Sequence, residues 1–258
     1  MLPKSFSVPV DVLDRIVRME KLGELNIALA PTPMYYPEQL NNARNREAMA
    51  HFDKLGFVGR RGLDDEVAAA LSALCRAHTE YFGWHFGGGD DGRVGVFAGS
   101  LGRDAVLAIR TKSTIELRPI SPDQLAESLA QALPYARPGR GQTVSIRKTD
   151  LDASNGEHSV SGGLALREMS GKQAAQLNVI RQLRQLPSTA CGELHAGIRD
   201  RVGRHAETEF PLRYIDTTNG RWLSAYTTSS GEPWLIFTPG SPQELSARLH
   251  ELRGTLRL

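Results

Sequence analysis

A chain of 258 residues with a formal net charge of only +2 lacks the strong positive charge by which nucleic-acid-binding domains attract phosphates. Its 40% hydrophobic and 23% charged residues are ordinary for a soluble globular protein, and no apolar run approaches the about 18 residues of a membrane span. The start of the chain also lacks the apolar core of a signal peptide. Two cysteines, Cys75 and Cys191, are too few for a disulfide framework, although a single disulfide bond between them stays as an alternative. We therefore expect a cytoplasmic protein that neither binds nucleic acid nor inserts into membranes.

In chain order, the spacing of apolar residues predicts three helices, at residues 10–22, 38–55 and 64–76, the last capped by Asp64. Four strands follow at residues 78–86, 94–100, 105–111 and 114–119, where apolar and polar residues alternate. Ser121, Pro122 and Gln124 then match the capping pattern of a helix start.

Residues 135–165 are rich in glycine, proline and serine and predict a loop-rich connector with one short strand at 143–146. A helix is predicted at 170–186, opened by Ser170. Strands follow at 189–199, 212–216, 221–226 and 234–238, and a last helix is capped by Ser241.

The second part of the chain repeats the first. Gly102 and Gly220 open matching apolar stretches, and Ser121 and Ser241 open matching helices about 120 residues apart, so the lengths differ only at a hairpin tip. We predict an α+β fold: a quasi-twofold duplicated module with a central, mainly antiparallel sheet flanked by N- and C-terminal helical bundles. Residues 1–258 would be one domain of two halves, about 1–134 and 166–258, joined by the connector at 135–165.

No catalytic or metal-binding pattern stands out in the sequence. The glycine-rich run at residues 87–92 has no following Lys-Ser/Thr and carries Asp90 and Asp91, so a hairpin loop is favoured over a phosphate loop. The seven histidines show no zinc-ligand spacing. We predict no enzyme activity, no metal and no cofactor, and keep a small-ligand protein as a remote alternative.

The second half carries a recognisable series of short motifs: Gly192-Glu193-Leu194, Arg199-Asp200, Gly203-Arg204, Tyr214-Ile215-Asp216-Thr217, Gly220-Arg221-Trp222 and the strand from Trp234 to Pro239. In their order, and with the duplication, they resemble the EspG family of chaperones associated with type VII (ESX) secretion in actinobacteria. The resemblance extends over nearly the whole chain.

The resemblance implies a cytoplasmic export chaperone without cofactor or nucleotide. It would bind the hydrophobic tip of the PPE subunit in PE–PPE heterodimers, keep that substrate soluble and direct it to the ESX machinery. When free it would be a monomer or a weak homodimer. An EspG-like module with a different helical partner is the main alternative.

The resemblance also implies where the partner binds, namely a loop between early strands and the helical region of the second half. The loop has no close copy in the second half, where the corresponding region, 200–210, is longer. The candidate residues are Gly88, Gly89, Asp90, Asp91 and Arg93 in and after the loop, with Arg181, Ser188 and Glu193 beyond it.

Overall fold

A computed structural model describes residues 2–60, 62–87, 92–156, 171–229 and 231–258. The first half begins with a short strand and three helices, continues through four strands and ends in a helix. These elements are β1 (Phe6–Pro9), α1 (Val10–Met19), α2 (Glu38–Lys54), β2 (Val58–Gly59), β3 (Gly62–Leu63), α3 (Asp65–Arg76), β4 (Thr79–Gly87), β5 (Arg93–Leu101), β6 (Asp104–Arg110), β7 (Thr114–Pro119) and α4 (Leu125–Ala132).

The connector and the second half follow a similar plan. Their elements are β8 (Val144–Arg147) and α5 (Lys148–Gly156) in the connector, then α6 (Gly171–Gln185), β9 (Ser188–Arg199), β10 (His205–Glu207), β11 (Leu212–Thr217), β12 (Gly220–Ser229), β13 (Glu232–Pro239) and α7 (Pro242–Gly254). The strands predicted from alternation are all present, with bounds shifted by a few residues at most.

One large antiparallel sheet runs through both halves in the order β1-β7-β6-β5-β4-β9-β11-β12-β13-β8, and β10 extends it by pairing with β9. From the first end, the edge strand β1 is followed by the β7–β6 hairpin and by β5 and β4. From the other end, the edge strand β8 is followed by the β13–β12 hairpin and by β11 and β9. The two sets meet where β4 pairs with β9 along Thr79–Gly87. The two matching sets of strands therefore meet between β4 and β9, which agrees with the duplication predicted from the sequence.

Helices cover the two faces of the sheet unequally. On one face, α4 and α7 pack side by side over the centre, and their leucines, including Leu129 and Leu249, join the core there. On the other face, α1–α3 cover the first half around Phe52 and Phe82, whereas α5 and α6 cover only the far edge of the second half around Ile146 and Ile180. Among the described residues, no helix covers the part of the second face between these two helix groups.

Of the four predicted helix caps, two are confirmed, one is wrong and one lies outside the described residues. Asp64 accepts hydrogen bonds from the N–H groups of Glu66 and Val67, and Ser241 accepts one from Glu244 N–H at 3.0 Å, so both caps are confirmed. The predicted cap at Ser121 is wrong. Its hydroxyl donates to the Asp123 carboxylate, and residues 121–124 form a turn ahead of α4. A nearby carboxylate competes with the backbone for such a hydroxyl. The predicted cap at Ser170 lies outside the described residues.

Two matching turns support the duplication. Gly102 joins β5 to β6 with φ of 62°, and Gly220 joins β11 to β12 with φ of 105°. Both values lie in the left-handed region, which glycine adopts without steric cost.

Several short elements were not predicted: β1, the β2–β3 hairpin, α5 and β10. The connector contributes more than its predicted strand, because α5 follows β8 directly. Leu151 of α5 is buried, and the Lys148–Asp152 pair, at 3.1 Å, spans one helical turn.

Candidate functional site

The open part of the second sheet face forms an apolar groove. A cavity of about 420 Å³ lies in it, bounded on one side by Leu183 of α6. The groove is lined by residues of five strands and of the segment before β11: Phe86, Cys191, Glu193, Phe210, Arg213, Ile215, Trp222, Ser224, Tyr226, Leu235 and Phe237.

Strand register explains why these side chains face the same way. Cα pairs across the sheet form one row through Arg93, Phe86, Cys191, Ile215 and Trp222. A second row runs through Arg110, Gly95, Trp84, Glu193, Arg213, Ser224 and Phe237. Directly paired residues in a sheet point to the same face, so both rows project into the groove or onto its rim.

Part of the groove lining is apolar and yet exposed to solvent, whereas Trp222 and Leu235 are buried beneath it. Phe86 is 39% exposed and Phe210 46% exposed, and Cys191 is a free, exposed thiol. Phe210 packs on Tyr226 with ring centroids 5.1 Å apart. Exposed aromatic side chains collected in one concavity are typical of protein- or ligand-binding surfaces.

One ion pair lies in the middle of this floor. The Arg213 guanidinium is 3.8 Å from the Glu193 carboxylate, and the Arg213 side chain is 61% exposed. A pair this open and long contributes little to folding, which leaves both groups available to a bound partner.

The strands under the groove are held from the opposite face by a buried polar network. The Arg221 guanidinium donates to the Asp216 carboxylate at 2.6 and 2.8 Å and lies over the Tyr214 ring, and Tyr214 hydroxyl is 2.8 Å from His85 Nδ1. Burial lowers the pKa of His85 and raises that of Tyr214, so both groups are neutral at pH 7. Gly192 makes room for this packing, because a Cβ there would lie 2.4 Å from the Tyr214 ring. The network joins β4, β11 and β12 into a rigid floor.

The predicted site residues are distributed unevenly. Glu193 lies in the groove, and Arg93 lies on its rim with its guanidinium 4.6 Å from the centre of the Trp84 ring. Arg181 is exposed on α6 and Ser188, at the start of β9, donates to the Ala190 carbonyl; neither lines the cavity. Gly88, Gly89, Asp90 and Asp91 lie outside the described residues.

Most residues of the groove carry no recognisable signal in the sequence. Phe86, Cys191, Arg213, Trp222, Tyr226 and Phe237 were placed on strands but not recognised as site residues. Alternation identifies which residues share a face. It does not show which face remains uncovered, because that depends on where α5 and α6 pack.

A second cluster of ionisable groups lies at the far end of β4. Among the described residues, one group of three could hold a metal ion: Glu80, His205 and Glu207, with ligand atoms within 4.8 Å of one another. His205 Nε2 is 3.0 Å from the buried Glu80 carboxylate. Burial raises the pKa of Glu80, and the nearby His205 opposes that change. None of these residues reaches the groove.

Within the described ranges, no helix is long and apolar enough to span a membrane.

Fold and groove together define a class: a duplicated α+β protein with an apolar groove on one face of its sheet. The EspG family model matches residues 9–251, and the chain therefore belongs to the EspG family. No curated protein matches the chain.

A solved structure with the same fold is that of the Mycobacterium tuberculosis type VII secretion system chaperone EspG5 in complex with the PE25–PPE41 dimer. It matches with a TM-score of 0.70 and 16% identity, over 98% of this chain and 97% of that one. The match confirms the predicted quasi-twofold α+β architecture.

Proposed function

We propose that this protein is a cytoplasmic, non-catalytic export chaperone that binds the apolar tip of a PPE protein within a PE–PPE heterodimer. In this proposal it keeps the pair soluble and delivers it to a type VII secretion machine. Membership of the EspG family and the likeness to a chaperone solved with a PE–PPE dimer support the proposal.

The observation that carries the proposal is the groove itself. An exposed apolar tip on a secretion substrate is an aggregation hazard until another surface covers it. The floor around Phe86, Cys191 and Ile215 offers apolar area, and Glu193, Arg213 and Arg93 provide polar groups within it and at its rim. An apolar centre with a polar rim is the usual composition of a specific protein interface.

The two halves have different parts in this proposal. We propose that residues 1–134 and 166–258 act as one domain, because β4 and β9 pair along their length and the core beneath α4 and α7 is continuous across both halves. Both halves then contribute to a single binding surface, with Phe86 from the first and the remaining floor from the second.

Co-expression with a PE–PPE pair from the same genome, followed by size-exclusion chromatography, tests the proposal. We expect a stable complex of the three chains. Absence of a complex with every such pair would refute the proposal, and recovery of the chain with another helical protein would favour the alternative partner.

A further inference from the structure

A small cationic cavity lies at the first-half end of the groove. Its volume is about 220 Å³, and it is lined by Ala28, Arg93, Gly95, Arg110, Thr111 and Lys112. Arg93 and Arg110 lie at the ends of the two rows that cross the groove, so the cavity continues the groove on the same sheet face.

The three cationic side chains lie close together without a carboxylate partner among the residues that the structure describes. Arg93 rests on the Trp84 ring, and the Arg110 guanidinium donates to the Ala30 carbonyl. Burial, together with the positive charge of Arg93, lowers the pKa of Arg110. Among the described residues, these three groups therefore give the cavity a net positive charge.

The cavity lies at the start of β5 and the end of β6, and its two arginines supply planar donors that pair with carboxylates and phosphates alike. Because the groove on the same sheet face is proposed to hold a protein, the anion expected in the cavity is a carboxylate, and inorganic phosphate is the competing ligand.

Resting on the proposed function, we infer that Arg93, Arg110 and Lys112 form a subsite for an acidic side chain of the protein docked in the groove. The apolar floor then supplies affinity, and this subsite fixes the orientation of the partner along the two rows. Such electrostatic complementarity governs specificity and association rate more than total affinity.

Charge reversal at the exposed hairpin residue Lys112 tests the inference. Arg103 is also exposed, at the other end of β6, so Arg103→Glu changes the net charge by the same amount away from the cavity. We expect Lys112→Glu to weaken binding of a PE–PPE pair about three- to thirtyfold, and to lose that effect in high salt, because attraction becomes repulsion. Arg103→Glu should bind like the wild type.

The outcomes separate this inference from the proposed function. Suppose that the wild type binds a PE–PPE pair. If Lys112→Glu then has the affinity of the wild type, or loses no more affinity than Arg103→Glu does, the subsite is refuted while the chaperone function stands. If the wild type binds no PE–PPE pair, both are refuted. Titration with inorganic phosphate at constant ionic strength should show no saturable binding; micromolar binding that is lost in Arg93→Gln/Lys112→Gln would assign the cavity to a phosphate ligand and overturn the inference.

Discussion

Replacement of Cys191 by aspartate places a carboxylate in the middle of the proposed binding floor. Cys191 is exposed and is paired across the sheet with Phe86 and Ile215, so the free protein can keep the new charge in water. A partner that covers this floor must bury the charge or force it to take up a proton. The fold should tolerate the change, whereas binding should not.

Protonation sets an upper limit on the loss of binding. An ordinary aspartate has a pKa of about 3.9, so protonating it at about pH 7.5 costs about 3.6 pKa units, or about 5 kcal/mol. The corresponding limit is a loss of about 4,000-fold in affinity, which falls about tenfold when the pH is lowered to about 6.5. Burying an unpaired carboxylate costs several kcal/mol, so we expect a loss of at least about a hundredfold at the higher pH.

Biolayer interferometry with an immobilised PE–PPE pair measures the effect at both pH values, and Cys191→Ser is the matched control. Thermal unfolding of the free variants should give similar midpoints, which shows that the fold is intact. If Cys191→Asp binds within threefold of Cys191→Ser at high pH, Cys191 is not covered by the partner and the assignment of the groove is wrong.

Three further predictions concern the fold that supports the groove. Ser241→Ala should lower the free energy of unfolding by about 1 kcal/mol because it removes a helix cap, whereas Ser121→Ala should change it by almost nothing. Chemical denaturation measures both values, and equal effects would contradict the difference between the two helix starts. Gly83→Ala should prevent soluble expression, since its Cβ would lie 1.9 Å from the Glu193 carbonyl oxygen. Gly254→Ala, whose Cβ would have nothing within 4 Å, should express normally. A soluble Gly83→Ala protein with native circular dichroism and melting temperature would refute the β4–β9 packing. Asp216→Asn should lower the free energy of unfolding by about 3–5 kcal/mol because it removes the charge partner of the buried Arg221. Asp152→Asn, at an exposed pair, should change it by less than about 0.5 kcal/mol. Similar melting temperatures for the two variants would mean that the network is not buried as described.

Much of the fold could be predicted from sequence because its signals are local. Alternation places the strands, and the repeated Gly102/Gly220 and Ser121/Ser241 positions reveal the duplication. The cap at Ser121 could not be judged from the pattern alone, since Asp123 competes for the same hydroxyl. Short elements such as β1 and β10 exist only because a partner strand is available, and that pairing is not local in sequence.

The candidate site was less predictable. Glu193 and Arg93 were identified through the family resemblance, but the apolar residues around them read in sequence as ordinary core positions. Phe86 and Phe237 have the same alternation as fully buried residues such as Phe82. What distinguishes them is the gap between α3 and α6, which is a property of tertiary packing.

Alkylation of the two cysteines in the free and bound protein tests the central claim most directly. Burial raises the pKa of Cys75 to about 12, so its thiol stays protonated at pH 8, and exposed Cys191 should react alone. In a chromatographically intact complex with a PE–PPE pair, we predict that Cys191 reacts at least about tenfold more slowly than in the free protein. An unchanged rate at Cys191 within such a complex would show that the partner binds elsewhere and would contradict the assignment of the groove.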